Sequence, residues 1–424
     1  MIQFLFKGII RDKNRSVLPI LVISLGVFLT VLGSAWFKGV FSDMINTNAN
    51  FTAGHVRVMT RAYAENVDQT PNDLALVEVD QLINDLDNQF PDFEWVKRTH
   101  FGGLLDVPNE EGETRAQGMA IGQGIDFFSP GTHEPERMNI PSSIVEGKLP
   151  GQPGEALISD DFAKRFKVNI GDPITLFGST MYGGMAFTNF TVCGTVRFGM
   201  RALDRGAILI DISDAQIALD MADAAGEVLG FQKSGNYDEE RALQVKDAFN
   251  AQYAADSDEF APVMQRLNDQ AFLGYYLDLA KYMSSIVIFI FVLAMSIVLW
   301  NTGLLGGLRR YNEFGMRLAM GEEKRHIYGS LITESIIIGT IGSVVGTIFG
   351  LAAGYYLQQH GIDMGSAMQG GGMMLPTVFK ARIGPEAFYI GFIPGLISMV
   401  LGNALAGIAI YRRQTAVLTK ELSV

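Results

Sequence analysis

Four unbroken apolar runs stand out along the chain, with a long mosaic of short alternating patterns between the first two. The runs cover residues 17–37, 283–308, 327–357 and 387–410, and each reaches the ~20 apolar residues a helix needs to cross a bilayer. Residues 38–282 have the shorter periods of a domain folded in water. GHVRVMT, residues 54–60, puts apolar side chains at alternate positions and predicts a strand. Leu76, Val79, Leu82, Ile83, Leu86 and Phe90 recur at helical spacing and stop at the Pro91-Asp92 turn signal. Residues 95–107 and 115–121 predict two further strands. A second set follows: GEALIS as strand, DDFAKRF as helix, VNIGDPITLFG as turn and strand, then FTVCGTVRF and RGAILIDI as strands. Residues 238–253 form an amphipathic helical pattern, and residues 258–282 are expected to run straight into the second span. The predicted fold class is a membrane protein of four transmembrane α-helices, with a large α+β domain of one or two subdomains inserted between helices 1 and 2.

Charge orients this arrangement. Residues 1–16 hold Lys7, Arg11, Lys13 and Arg15, and residues 309–326 hold Arg309, Arg310, Arg317, Lys324 and Arg325. The tail, residues 411–424, holds Arg412, Arg413 and Lys420, whereas residues 358–386 hold only Lys380 and Arg382. Short basic loops stay in the cytoplasm. Both termini and residues 309–326 are therefore expected inside, with residues 38–282 and 358–386 outside. The first run is expected to be retained, since its core is longer than a signal h-region and no small-x-small cleavage site closes it.

Composition changes the picture in one respect. Hydrophobic residues make up 48% and charged residues 18% of the 424 positions, against roughly 25% charged in soluble domains. Residues 38–282 carry 19 Lys and Arg against 37 Asp and Glu, a net −18, while the rest of the chain is +6. The acidity belongs to the inserted domain and argues against nucleic acid as a partner.

Catalytic chemistry is missing from the pattern. There is no GxxxxGK[ST] loop, no GxSxG and no HExxH. The histidines at 55, 100, 133, 326 and 360 share no metal-ligand spacing, so no metal site is expected, and His55 and His326 read as surface or strand-end residues. The acidic runs at 110–113 and 238–240 read as solvated turn and helix-start charges. Cys193 is the single cysteine, excludes an internal disulfide, and reads as a small buried hydrophobe in its strand. A non-catalytic chain is expected.

The charged interruption RRYNEFGMRLAMGEEKRHIYGS, which begins at Arg309, carries Phe314, Met316, Leu318 and Met320 among its charges. Glu313 stands four residues before Arg317 and is placed to pair with it on a helix. Two readings are open: a membrane-surface helix anchoring the ends of two spans, or a helix whose apolar anchors and flanking charge dock in a groove of a separate protein. The missing catalytic residues favour the second, a membrane protein moved by a partner.

EFGMRLAMGEEKRHIYGSLITESIIIGTIGSVVGTIFGLAAG closely resembles the signature of MacB-type ABC transporter permeases, in which a motif like REIGxxRAxGAxxxxI precedes a glutamate-containing, glycine-rich third span. EGKLPGQPGEALISDDFAKRFKVNIGDPITL is similar to a segment of that family's outer domain, and GHVRVMTRAYAE looks most like the lipoprotein-releasing LolC/LolE branch and its unassigned relatives. The resemblance runs from the first span to the tail. It implies a bacterial inner-membrane protein whose large domain is periplasmic, paired with a second permease copy, identical or paralogous, on a dimer of cytoplasmic ABC ATPases. ATP and magnesium would be bound by that ATPase, with no cofactor on this chain and no fused ATPase domain. It also implies a coupling helix in residues 309–321, where Glu313, Phe314, Arg317, Ala319 and Gly321 match the motif and Arg310, Leu318 and Met320 lie among them. Tyr311, Asn312 and Phe314 depart from the usual basic or aliphatic residues, which bears on which ATPase is accepted.

Gly342, Gly346, Gly350 and Gly354 are each four apart and form a ridge along the third span, of the kind that lets membrane helices approach closely. Packing within the protomer and a dimer seam are both open to it. Glu334, inside the same span, is an intramembrane carboxylate, and such groups mark functional or structural sites. Asn301 and Asn403 are read as interhelical hydrogen-bonding residues. The outer halves of the first two spans, with Val27, Leu32, Trp36, Ile286 and Phe289, are apolar enough to shelter cargo or close a dimer seam. Met364, Met368, Met373 and Met374 in the loop 358–386 read as an adaptable apolar lip, in preference to a copper(I) site. The leading expectation is ATP-driven extraction of a lipoprotein or another amphiphile from the outer leaflet. Alternatives are efflux of peptides or small toxic molecules, with a periplasmic adaptor, and mechanical signalling to a cell-wall hydrolase.

Overall fold

The computed structural model describes residues 13–109, 111–269, 271–363 and 378–412. The methionine loop and the basic side chains Lys7, Arg11, Arg413 and Lys420 lie outside the described residues. The chain divides into two units. One comprises Met44–Asp278 with Asp363–Val378, and the other Met1–Asp43, Leu279–Ile362 and Phe379–Val424.

The second unit is helical. Helix α1 spans Lys13–Asn48 and is followed by one π-turn, Ala49–Ala53. The later spans are α6 (Ala271–Leu308), α8 (Lys324–His360) and α9 (Ser398–Arg412), with the short α7 (Tyr311–Ala319) between α6 and α8. Among the described residues, four segments are long and apolar enough to cross a membrane. The fourth does not start as a regular helix. A 3-10 turn at Pro385–Phe388 and a π-turn at Ile393–Ile397 precede α9, because Pro394 cannot donate a backbone hydrogen bond inside the helix.

Among the described residues, the main sheet of the sheet-bearing unit has ten strands: β1 (Val56–Thr60), β2 (Phe93–Pro108), β3 (Thr114–Ile125), β4 (Ile144–Gly147), β5 (Glu155–Ser159), β6 (Pro173–Ser179), β7 (Met185–Val196), β8 (Ala207–Asp211), β9 (Glu227–Gln232) and β10 (Pro262–Arg266). Their order is β10–β1–β9–β2–β3–β8–β5–β7–β4, and β6 joins β2 to β7. The circuit β2–β3–β8–β5–β7–β6–β2 closes on itself, so one end of the sheet is a six-stranded barrel. Its strands alternate in and out. Ala156, Ile158, Ile208 and Ile210 join Leu105, Leu176 and Phe190 in one core, while the intervening Leu157, Leu209 and Cys193 face a second core with Val196 and Phe198. Small barrels are filled by their own side chains in this way, here joined by Phe162 and Ala163 of α3 (Asp160–Phe166) and Ala215 and Ala218 of α4 (Ile212–Ala218). Burial pushes the Cys193 thiol up to about 12, as suits a packing residue.

At the other end β10, β1, β9 and the first half of β2 form an antiparallel sheet covered by α2 (Val79–Gln89) and α5 (Glu239–Gln252). Asp238 caps α5 by accepting from the Glu240 and Arg241 amides. Strand β10 is a departure from the sequence reading of residues 258–282 as a simple lead into the second span. Only five residues long, it gains its identity from the ladder it makes with β1.

Candidate functional site: the clamped helix α7 and the buried charge pairs

Helix α7 is held on three sides. Phe314 is 1% exposed and packs on Ile327 and Leu331 at the base of α8, with Tyr311 and Leu318 beside it. The Tyr311 hydroxyl donates to the Ala406 carbonyl of α9 at 2.9 Å. Arg310, just before the helix, donates to Glu334 at 2.6 Å and to Glu313 at 3.4 Å, and its guanidinium lies 5.6 Å from the Phe314 ring centroid. The intramembrane carboxylate of Glu334 thus has a cationic partner, as such groups require in an apolar medium. Arg317 makes a two-pronged contact with Glu322, both bonds at 2.7 Å, a partner that helical spacing alone did not suggest.

Gly321 ends the helix for a geometric reason. Its φ is +93°, its amide bonds to Leu318, and the next amide, of Glu322, reaches back to Arg317. This is the Schellman arrangement, whose left-handed position favours glycine. Ala319 and Met320 are exposed on the last turn, as is Met316.

The sequence reading of Phe314 as an outward docking anchor is therefore corrected. A nine-residue helix has apolar residues on two sides, and packing against α8 takes the Phe314 side. Met316 and Met320, 59% and 79% exposed, remain on the outside.

The glycine ridge lies against α1. A Cβ at Gly342 would meet Ile23 at 2.7 Å, at Gly346 the Ser24 carbonyl at 2.5 Å, and at Gly350 Val31 at 2.8 Å, whereas at Gly354 the nearest atom is 3.6 Å away. Val27 is wholly buried in this contact and against Gly391 and Gly395. That corrects its place among seam residues, because α8 and the start of the fourth span already cover it. Leu32 and Trp36 are half-buried, and Ile286 and Phe289 are exposed, at 49% and 65%. Asn301 is exposed on α6 and makes no hydrogen bond among the described residues. Asn403 is buried, yet its amide donates within its own helix, to Met399 at 3.4 Å. Neither asparagine makes the interhelical bond expected from sequence: one faces away from the helices, and the other finds its acceptor one turn back.

Sequence reasoning missed the buried charges of the sheet-bearing unit. Arg98 on β2 is fully buried, pairs with Glu134 at 2.7 Å, and donates to the carbonyls of Asn50 and Phe51 at 2.8 and 3.0 Å. Those carbonyls belong to the π-turn after α1, so the cation satisfies acceptors that a helix end leaves open. Arg137 also pairs with Glu134 and lies 4.0 Å above the Phe231 ring. Burial pushes the Glu134 carboxyl up, but Arg98 and Arg137 outweigh it and hold it below the usual range. His55, read from sequence as a surface or strand-end residue, does precede β1 but is 1% exposed between Phe231 and Tyr237. Its Nδ1 accepts from the Gln232 amide, and burial, with help from Arg137, lowers it to about 4. Elevated charge in a strand, as in KRTH, was the available signal, but the partner is 36 positions away.

Four spans, a sheet-bearing insertion after the first, and a clamped helix between the second and third define a multipass membrane subunit. Residues 16–257 match the MacB-like periplasmic core domain, and residues 285–415 match the FtsX-like permease C-terminal family. The chain belongs to this MacB/FtsX-like family and is a permease subunit of an ABC transporter, whose partner is a cytoplasmic ABC ATPase. Such subunits are generally non-catalytic. The periplasmic region of MacB from Actinobacillus actinomycetemcomitans, a crystal structure, is similar at 10% identity and a TM-score of 0.34, over 52% of this chain and 91% of that one. No curated protein matches the chain.

Proposed function

We propose that α7 docks on the cytoplasmic ATPase and that hydrolysis there moves the periplasmic unit, extracting a lipoprotein or another amphiphile from the outer leaflet. In this reading both termini are cytoplasmic, ATP and magnesium sit on the ATPase, and a second permease copy completes the transporter. The observation that carries it is the construction of α7. Phe314, Tyr311 and the Arg310–Glu334 pair fix the helix to α8 and α9, while Met316 and Met320 stay exposed. A helix held by one face and apolar on the other is suited to pass a push from a partner's groove into the spans. Exposed Ile286 and Phe289 on α6 would give acyl chains an apolar shelter, each buried CH₂ contributing about 0.8 kcal/mol.

The test uses the chain reconstituted with its ATPase. Met316→Asp and Met320→Asp should insert normally and lose stimulation of the ATPase. Full stimulation by both would remove α7 from the coupling role. For the cargo, photocrosslinkers at Leu32 and Phe289 should capture acylated protein, and ATP should reduce the capture. Crosslinks only to permease and bulk lipid in every nucleotide state would replace extraction with efflux or mechanical signalling.

A further inference from the structure

A cleft of about 420 Å³ opens on the sheet-bearing unit between the start of α2, the end of α5 and the segment leading into β10. That volume lies within the ~300–1,000 Å³ typical of small-molecule sites. Its floor is apolar, with Leu76 and Met181 buried and Leu82 half-buried. Two aromatic residues line it, Phe260, 48% exposed, and Tyr253, whose ring packs on Phe249 with centroids 5.1 Å apart. The charged lining is of one sign. Asp73, Glu78 and Asp85 contribute carboxylates, and no lysine, arginine or histidine lines the cleft. Among the described residues these three side chains make no ion pair or hydrogen bond, although the neighbouring Asp80 is taken by Lys97 and Asp92 by Arg241.

We propose that this cleft binds a small cationic amphiphile, an ammonium group carried on an apolar body. The carboxylates and the aromatic faces both attract an ammonium, and the leucine–methionine floor takes the apolar part. A metal ion fits poorly, since no cluster of three metal-binding side chains occurs among the described residues. An anionic or neutral amphiphile would leave three carboxylates uncompensated. Exposed carboxylate–ammonium pairs are individually weak, so selectivity comes from the three acting with the apolar contact. The proposal goes beyond the transport reading, because occupancy requires neither ATP nor a second subunit.

The experiment takes the full chain in phosphatidylcholine nanodiscs without the ATPase and titrates benzyltrimethylammonium, with benzyl alcohol and benzylsulfonate as neutral and anionic probes. Empty nanodiscs serve as the blank. Saturable binding is expected for the cation alone, weakened roughly tenfold in an Asp73→Asn/Glu78→Gln/Asp85→Asn variant. Glu111→Gln/Glu113→Gln/Glu146→Gln, which removes three carboxylates outside the cleft, should bind as the parent does. Phe260→Ala should weaken binding with the charges intact, so the idea remains exposed to refutation if the triple variant fails to fold. Equal binding of benzyl alcohol, no saturable binding of the cation, or an equal loss in the control variant would overturn the proposal.

Discussion

The two units place their charges differently. In the sheet-bearing unit the largest fully buried side chain is Arg98, and its pair with Glu134 has no exposure on either side. In the helical unit, Arg310–Glu334 and Lys38–Glu386 keep between 18% and 39% of their side chains exposed, while the interior contact of α1 with α8 is glycine against Ile23, Val27 and Val31. The difference follows from what each setting can satisfy. A strand beside a helix end offers carbonyls that complete a buried guanidinium, whereas a helix in lipid has spent its backbone groups internally and gains most from close packing. The sheet-bearing unit should therefore be sensitive to lost charge, and the helical unit to added volume.

The sharpest way to break this contrast is Glu134→Ala. It leaves Arg98 buried without its carboxylate, and a loss of about 3–5 kcal/mol is expected, read as a drop in the apparent melting point of the full chain and faster proteolysis of its sheet-bearing unit. A change below about 1 kcal/mol would mean that the pair is not holding the unit. Acid provides the next test. His55 takes its proton at about 4 when folded against 6.5 when free, so between those values the unfolded chain binds more protons and stability falls as pH is lowered. The loss across that window amounts to ~3 kcal/mol, and His55→Gln should flatten it. Glu134, held low, adds its loss only as pH falls below its free value of 4.5.

Volume is the complementary probe. Gly346→Val would drive a Cβ against the Ser24 carbonyl at 2.5 Å and should cost about 1–3 kcal/mol, seen as reduced detergent stability. Gly354→Ala, with 3.6 Å of room, should be nearly neutral, and equal effects at both positions would mean that the ridge is not the contact. Glu334→Gln should lower stability by about 1 kcal/mol, since the amide still offers Arg310 an acceptor and the Glu313 carboxylate remains at 3.4 Å. A stability loss as large as that of Glu134→Ala would erase the distinction between the units.

Much of the architecture is legible without coordinates. The apolar runs mark the spans because the bilayer imposes length, and the four-residue glycine spacing marks a helix face because the period is fixed. Strands β1, β2 and β3 are visible as alternation. Barrel closure is not, because the β6–β2 pairing depends on residues far apart whose alternation looks like that of an open sheet. Phe314 shows a second limit. The helical period says which residues share a face, but not which face a neighbour covers. The Arg98–Glu134 pair shows a third, since neither residue differs in sequence from a solvated charge, and burial is decided by a fold that brings β2 beside the end of α1.

Strand β2 has a consequence in time. Its first half pairs with β9 and its second with β3 and β6, while β1 finds both partners, β9 and β10, only near the end of the domain. At the ~5–20 residues per second of synthesis, β1 leaves the ribosome on the order of ten seconds or more before either neighbour exists. The last barrel strand, β8, ends 16 residues before β9 begins, so the barrel strands are all available to close on one another before β1 has a partner. Biogenesis should accordingly proceed from the barrel outward, with β1 as an unpaired edge that a chaperone must shield until β10 arrives.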